Sequence, residues 1–143
     1  MHHIVSYPYR VELAEEGGYL VQFIDFDEAF SEGNTLEEAH FNAAEVLNLT
    51  LEGRIDDNFN LPKPSRLKEK NIFYATPEAD IQIALQIHWL REETGVTLAD
   101  LARNLKTSWP SAQRLEKSGN NPTINKLSEV AASFGKRLII SFE

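Results

Sequence analysis

The sequence predicts an α+β chain, in which a small antiparallel sheet with a covering helix is followed by an all-α region that ends in a β-strand. Three observations predict it. Apolar and polar residues alternate between Ile4 and Phe23, a capped helical repeat runs from Thr35 to Gly53, and four capped helical repeats crowd between Thr76 and Gly135.

The first element is a hairpin. Val11 and Leu13, then Tyr19, Val21 and Phe23, fall at every second position on either side of Glu15-Glu16-Gly17-Gly18. Such alternation buries one face of a strand pair, and paired glycines accept the backbone of a tight connection. Thr35-Leu36-Glu37-Glu38 then has the order of a capping box, after which Leu36, Ala39, Ala43, Leu47 and Leu51 recur at three- and four-residue spacing, with Gly53 as the expected stop. This helix is expected to cover the hairpin. Residues 54 to 70 contain Pro62, Pro64 and several basic residues with little periodicity, so they read as a connection before a strand at Ile72-Phe73-Tyr74.

Thr76-Pro77 supplies an N-cap and a first helical residue for a helix through Ile81, Ala84, Leu85 and His88 to about Gly95. Thr97 starts a short helix with Leu98, Leu101 and Ala102, Ser108 another with Ala112 and Leu115, and Thr123 a third with Leu127, Val130, Ala131 and Phe134, closed by Gly135. Leu138-Ile139-Ile140-Ser141-Phe142 ends the chain as a strand too apolar to stand unpaired. Two domains are expected, 1–75 and 76–143.

The 143 residues carry a formal charge of -8, from 14 basic and 22 acidic side chains. Taken whole, that balance disfavours nucleic acid. Divided by region it does not, because residues 1–70 hold six Lys/Arg against fourteen Asp/Glu, whereas residues 71–143 hold eight of each. Within the second part, Arg103 to Arg137 has seven basic residues against Glu116 and Glu129. Two modules with different partners are implied, although an acidic surface also serves solubility alone. Cysteine is absent, which excludes disulfides, thiolate metal clusters and cysteine nucleophiles. No stretch approaches the ~18 apolar residues of a spanning helix, and Met1-His2-His3-Ile4-Val5-Ser6 lacks the pattern of a signal peptide. A cytoplasmic protein without a membrane partner is expected.

Between Thr97 and Leu115 the spacing carries a specific geometry. Ala102 is small where two helices approach, Leu101 and Leu105 face a core from the first, and Ala112 and Leu115 face it from the second. Trp109, Ser111, Gln113 and Arg114 are left outward, Ser108 caps the second helix, and Pro110 falls in its first turn, where a missing N–H costs little. This pattern resembles the Cro/repressor-type helix-turn-helix, as do Glu116-Lys117 and Asn121-Pro122 beyond it, except that Lys106 stands where that family has a turn glycine. Ser108, Trp109, Ser111, Gln113, Arg114 and Lys117 are the candidate DNA-binding residues. Gln113 and Arg114 suit base edges or phosphates, Trp109 a sugar or thymine methyl, and Lys106, Lys117 and Lys126 phosphates. The alternative is two amphipathic helices packed in a bundle that read nothing.

The first half bears a second resemblance. Tyr9-x-Val11, Glu15-Glu16-Gly17-Gly18-Tyr19-x-Val21-x-Phe23-x-Asp25, Ala29-Phe30-Ser31-x-Gly33-x-Thr35-x-x-Glu38-Ala39 and Asn42-Ala43 together resemble the HicB antitoxin domain. The resemblance implies a small degenerate ribonuclease-H-like fold without catalysis, joined to a helix-turn-helix DNA-binding domain. It also implies a HicA-like ribonuclease toxin as partner and repression of the chain's own operon through operator DNA. Asp25-Phe26-Asp27-Glu28 is more acidic than the proline-containing segment common there. Asp25, Asp27 and Glu28 are the candidate toxin-binding residues, since acids offered to a basic ribonuclease imitate RNA phosphates.

A residual Mg²⁺ nuclease would need carboxylates converging from separate strands and a helix, whereas Asp25, Asp27 and Glu28 cluster locally and Glu38 serves the cap of Thr35. His40 and His88 have no second ligand at zinc spacing. No catalytic residue, metal or cofactor is expected, and the chain is read as no enzyme. A homodimer or higher oligomer through the C-terminal domain is expected, because a reading helix gains specificity from a second half-site and the terminal strand needs an edge. The alternative function is a ligand-sensing helix-turn-helix repressor with no toxin.

Overall fold

Alternation along the first strands sets the sheet. The computed structural model describes residues 5–143, so Ile4, expected in the first strand, and His2-His3 lie outside the described residues. β1 (Tyr7–Leu13) and β2 (Tyr19–Phe23) form the expected antiparallel hairpin, with Tyr9 opposite Phe23 and Val11 opposite Val21. The turn uses Gly17 and Gly18 at φ +99° and +80°, a region other residues adopt only at a cost. β3 (Phe30–Gly33) and β4 (Ile72–Ala75) complete a four-stranded antiparallel sheet in the order β3-β2-β1-β4. β3 has no counterpart in the sequence reading.

α1 (Leu36–Asp56) packs on one face of this sheet through Ala39, Ala43, Leu47, Leu51 and Ile55, against Tyr7, Tyr9, Val21 and Phe23, all buried. Its approach is close. A Cβ added at Gly33 would stand 2.4 Å from the Ala39 amide nitrogen, so only glycine lets the helix start there. Thr35 is the N-cap, its side chain accepting the Glu38 N–H at 3.1 Å. The reciprocal half of the box is displaced by one residue, since the Glu38 carboxylate accepts from Asn34 N–H.

Two expectations for α1 need correction. Leu36 is 46% exposed and lies outside the core, and Gly53 does not stop the helix, which runs to Asp56 with Asp57 as C-cap. Burial of Ile55 one turn after Leu51 outweighs the roughly 1 kcal/mol that a mid-helix glycine costs.

The chain divides into two units, one ending at Ala79 and the other beginning at Asp80. α2 (Ala79–Thr94), α3 (Leu98–Asn104), α4 (Trp109–Arg114) and α5 (Ile124–Ser133) follow. Thr76 and Pro77 precede α2 instead of opening it, because Glu78 N–H is taken by the Asn48 side chain of α1 at 2.9 Å. The other caps fall as expected, with Thr97, Ser108 and Thr123 each accepting the N–H three residues on. Ile87, Leu101, Ala102, Leu105, Ala112, Leu115 and Val130 make one core, with Leu127 and Phe134 at its edge.

Leu138 to Phe142, expected as a strand, form none in the single chain, and Ile139, Ile140 and Phe142 are exposed. A ladder needs a second edge, and none is paired to this segment. No helix among the described residues is long and apolar enough to cross a membrane.

Candidate functional site

Two surfaces carry the residues singled out by the sequence, one in each unit. In the first unit, residues 57–71 form no helix or strand, only a turn at either end, and run as a strap. Side chains from other elements hold it. Tyr7 donates to the Pro62 carbonyl at 2.7 Å, Arg54 to the Asn60 carbonyl at 2.7 Å, and Asp25 accepts both the amide and the hydroxyl of Ser65.

This engagement changes what the acidic segment offers. Asp25 is half-buried and occupied by Ser65, while Glu28 receives the Arg54 guanidinium at 2.7 and 3.0 Å. The hydrogen bond from Arg54 holds the Glu28 carboxyl below its ordinary range, and Arg54 also stacks on Phe26 at 4.9 Å. Asp27 alone of the three is exposed without a side-chain bond or ion pair shown among the described residues. Asp25 and Glu28 are thus held by different partners, and the three carboxylates form no metal-binding group. Glu38 stays on its cap, and no group of three or more His, Asp or Glu among the described residues could hold a metal ion. His40 packs edge-on to Tyr9 and Phe73, with its Nδ1 2.6 Å from the Tyr9 hydroxyl. Burial raises the pKa of both Tyr7 and Tyr9, so both hydroxyls stay neutral.

In the second unit, the chain from Leu105 to Ser108 turns α3 into α4. Lys106 takes φ +54°, the left-handed conformation for which a glycine is the ordinary choice, so lysine here adopts the glycine backbone. Ala112 and Leu115 are buried, which leaves Ser108, Trp109 and Arg114 exposed and Ser111, Gln113 and Lys117 half-buried. Ser108, Ser111 and Arg114 are linked on one side of α4, the Ser108 hydroxyl 2.9 Å from that of Ser111, which accepts from Arg114 at 3.0 Å. Trp109 is 47% exposed. A shallow groove beside them is lined by Thr107, Ser111, Arg114, Asn121 and Lys126.

One feature at this site was not legible in the sequence. Glu116, directly after α4, is nearly enclosed, with 9% of its side chain exposed, and accepts from Arg91 through Nε at 2.5 Å and Nη2 at 3.0 Å. Its other neighbour is His88 Nδ1 at 2.8 Å, and His88 Nε2 meets Glu92 at 3.1 Å. Burial alone would raise the Glu116 pKa, but the hydrogen bonds from His88 and Arg91 overcome it and hold the carboxyl below its ordinary value. The same hydrogen bond raises the His88 pKa against the opposing effect of burial. The end of α4 is thus tied to two positions on α2 by one carboxylate. The sequence offers Glu116-Lys117 only as a pattern after the helix.

A family model described as HicB-like antitoxin of bacterial toxin-antitoxin systems matches residues 6–81, which span the sheet, α1, the strap and the first residues of α2. Over 141 residues the chain is 27% identical to Antitoxin HicB 1 of Photorhabdus laumondii, covering 97% of this chain and 88% of that protein. It is 29% identical over 136 residues to Antitoxin HicB of Escherichia coli K12, covering 94% and 96%, and 30% identical over 136 residues to Antitoxin HicB 2 of Photorhabdus laumondii, covering 94% of each.

Proposed function

The chain belongs to the HicB-like antitoxin family of bacterial toxin-antitoxin systems, and on that premise we propose that it inhibits a small basic mRNA-cleaving toxin of the HicA type and represses its own operon. The first unit is the inhibitory one. The observation that carries this is the confinement of the whole acidic excess, six basic against fourteen acidic residues, to residues 1–70. A ribonuclease surface built for phosphates finds in it an electrostatic substitute, which speeds encounter and blocks substrate. Asp27 is the most available of Asp25, Asp27 and Glu28, and the other two contribute field while held by Ser65 and Arg54.

Operator binding falls to α3 and α4. Ala112 and Leu115 fix α4 on the core, which turns Trp109, Ser111, Gln113 and Arg114 away from it, with Ser108 and Lys117 at either end. Gln113 and Arg114 are assigned to base edges and Ser108, Ser111 and Lys117 to phosphates. The exposed Ile139, Ile140 and Phe142 support a homodimer or higher oligomer in which two terminal segments pair. This reading makes the protein a cytoplasmic repressor and no enzyme.

Co-expression with the adjacent reading frame tests the first part, the expected outcome being rescue from toxicity and a stable complex. Footprinting on the chain's own promoter tests the second. Arg114→Ala is expected to weaken operator binding by roughly tenfold or more without impairing rescue. Rescue without any footprint would confine the function to toxin inhibition.

A further inference from the structure

The face of the sheet opposite α1 differs from the rest of the first unit. Antiparallel register sets two rows across it, Ile72-Arg10-Gln22-Phe30 and Glu12-Leu20-Glu32. Alternation puts both rows on the side away from Val21 and Phe23, and α1 occupies the other side, as the contact of Gly33 with Ala39 requires. Leu20 is 46% and Phe30 64% exposed. Opposed residues stand ~5 Å apart, so Leu20 sits between two glutamates whose Cα atoms are ~10 Å from each other.

Charge on this face is one-sided. Arg10 is drawn to Glu69 at 3.3 Å, whereas Glu12 and Glu32 are exposed and make no ion pair among the described residues. The strap meets this face at the β1 and β4 end, where Glu69 pairs with Arg10, Arg66 lies over the Tyr74 ring at 5.6 Å and Leu67 bonds the Tyr74 hydroxyl. Leu20 and Phe30, on β2 and β3, stay exposed among the described residues.

We propose that Leu20 and Phe30, framed by Glu12 and Glu32, are where the first unit seats its toxin, and that the toxin meets them with an apolar contact ringed by lysine or arginine. This rests on the toxin-binding reading above and places the centre of contact on the sheet, with Asp25, Asp27 and Glu28 outside it. Charge complementarity selects the occupant. The cation nearest the apolar pair is already paired, and a second copy of the same face would bring Glu12 and Glu32 against like charge. A cationic rim gains two pairings with carboxylates that make no ion pair among the described residues.

Calorimetric titration of the full chain with the purified toxin of its own operon tests this. Leu20→Lys and Phe30→Lys are each expected to weaken binding by roughly 30-fold or more, as central apolar contacts do. The uncharged Leu20→Gln and Phe30→Gln, accompanied by melting curves, guard against a variant that merely unfolds. Glu12→Lys with Glu32→Lys is expected to slow association and flatten its salt dependence. Phe41→Lys and Leu49→Lys, at exposed positions of α1, are expected to stay within about threefold of the parent. Folded sheet-face variants that bind as tightly as the parent would overturn the proposal, as would losses at Phe41 and Leu49 instead, or altered self-association with toxin binding intact. A parent chain that binds no toxin would defeat the toxin-binding reading itself.

Discussion

The two units place their charged contacts differently. In the first, arginines reach across long sequence separations, with Arg10 on Glu69, Arg54 on Glu28, Asn60 and Phe26, and Arg66 on Ser6 and Tyr74. In the second, carboxylates tie helix ends and caps. Glu116 serves Arg91 and His88, Asp100 serves the Thr97 cap and Arg103, Asp80 accepts from Gly119, and Glu129 meets Lys126. Each ion pair takes up one charge of either sign, so the balance of each unit stands as counted, an acidic excess in the first and none in the second. Lys106 and Arg114 near α4 make no ion pair among the described residues.

The aromatic residues allow each unit to be followed separately. Trp89 and Trp109 lie in the second unit, and Tyr7, Tyr9, Tyr19 and Tyr74 in the first. Glu116→Ala should have the largest effect, a loss of about 3 kcal/mol, because it leaves the largely buried Arg91 without its carboxylate. Denaturation followed by tryptophan fluorescence should show it, with the tyrosine-reported transition unmoved. If both transitions shifted together, the units would unfold as one and the comparison would break.

Gly33→Ala is the mirror test. Its Cβ would meet Ala39 backbone at 2.4 Å, which forces α1 off the sheet and should cost about 2–3 kcal/mol in the tyrosine transition alone. pH sharpens the contrast further. His88 is held above its ordinary value of 6.5 by the hydrogen bond to Glu116, so its protonated form adds stability that is complete below 6.5 and is lost as pH rises through the folded value. The tryptophan transition should weaken from pH 6 to pH 9, and His88→Gln should abolish that slope. An unchanged slope in the variant would assign the pH dependence elsewhere. The smallest effect is a gain. Lys106→Gly relieves a left-handed residue and should stabilise the second unit by about 0.5–1 kcal/mol, after the added freedom of the unfolded chain is subtracted.

Legibility followed the range of each interaction. Thr35, Thr97, Ser108 and Thr123 were readable as caps because each bonds an amide three residues away, and the hairpin because its period is local. β3 was not, since Phe30-Ser31-Glu32-Gly33 carries no strong alternation and becomes a strand by pairing with β2. Gly53 and Thr76-Pro77 gave correct local signals that were overruled by Ile55 burial and by Asn48. The strap and the Glu116 cluster were invisible, because Asp25 reaches Ser65 across 40 positions and Arg91 reaches Glu116 across 25. The acids near Asp25 looked available for the same reason.

Gly33 divides the sheet in a further sense. One side answers to the helix of its own chain, and at position 33 it admits no side chain at all. The other side leaves the Leu20 and Phe30 side chains largely exposed among the described residues. Mutation can therefore rewrite the outer rows while the scaffold stands still. Two duplicated copies of such a gene would be able to drift apart in partner choice, each keeping step with its own toxin, without either having to relearn how to fold.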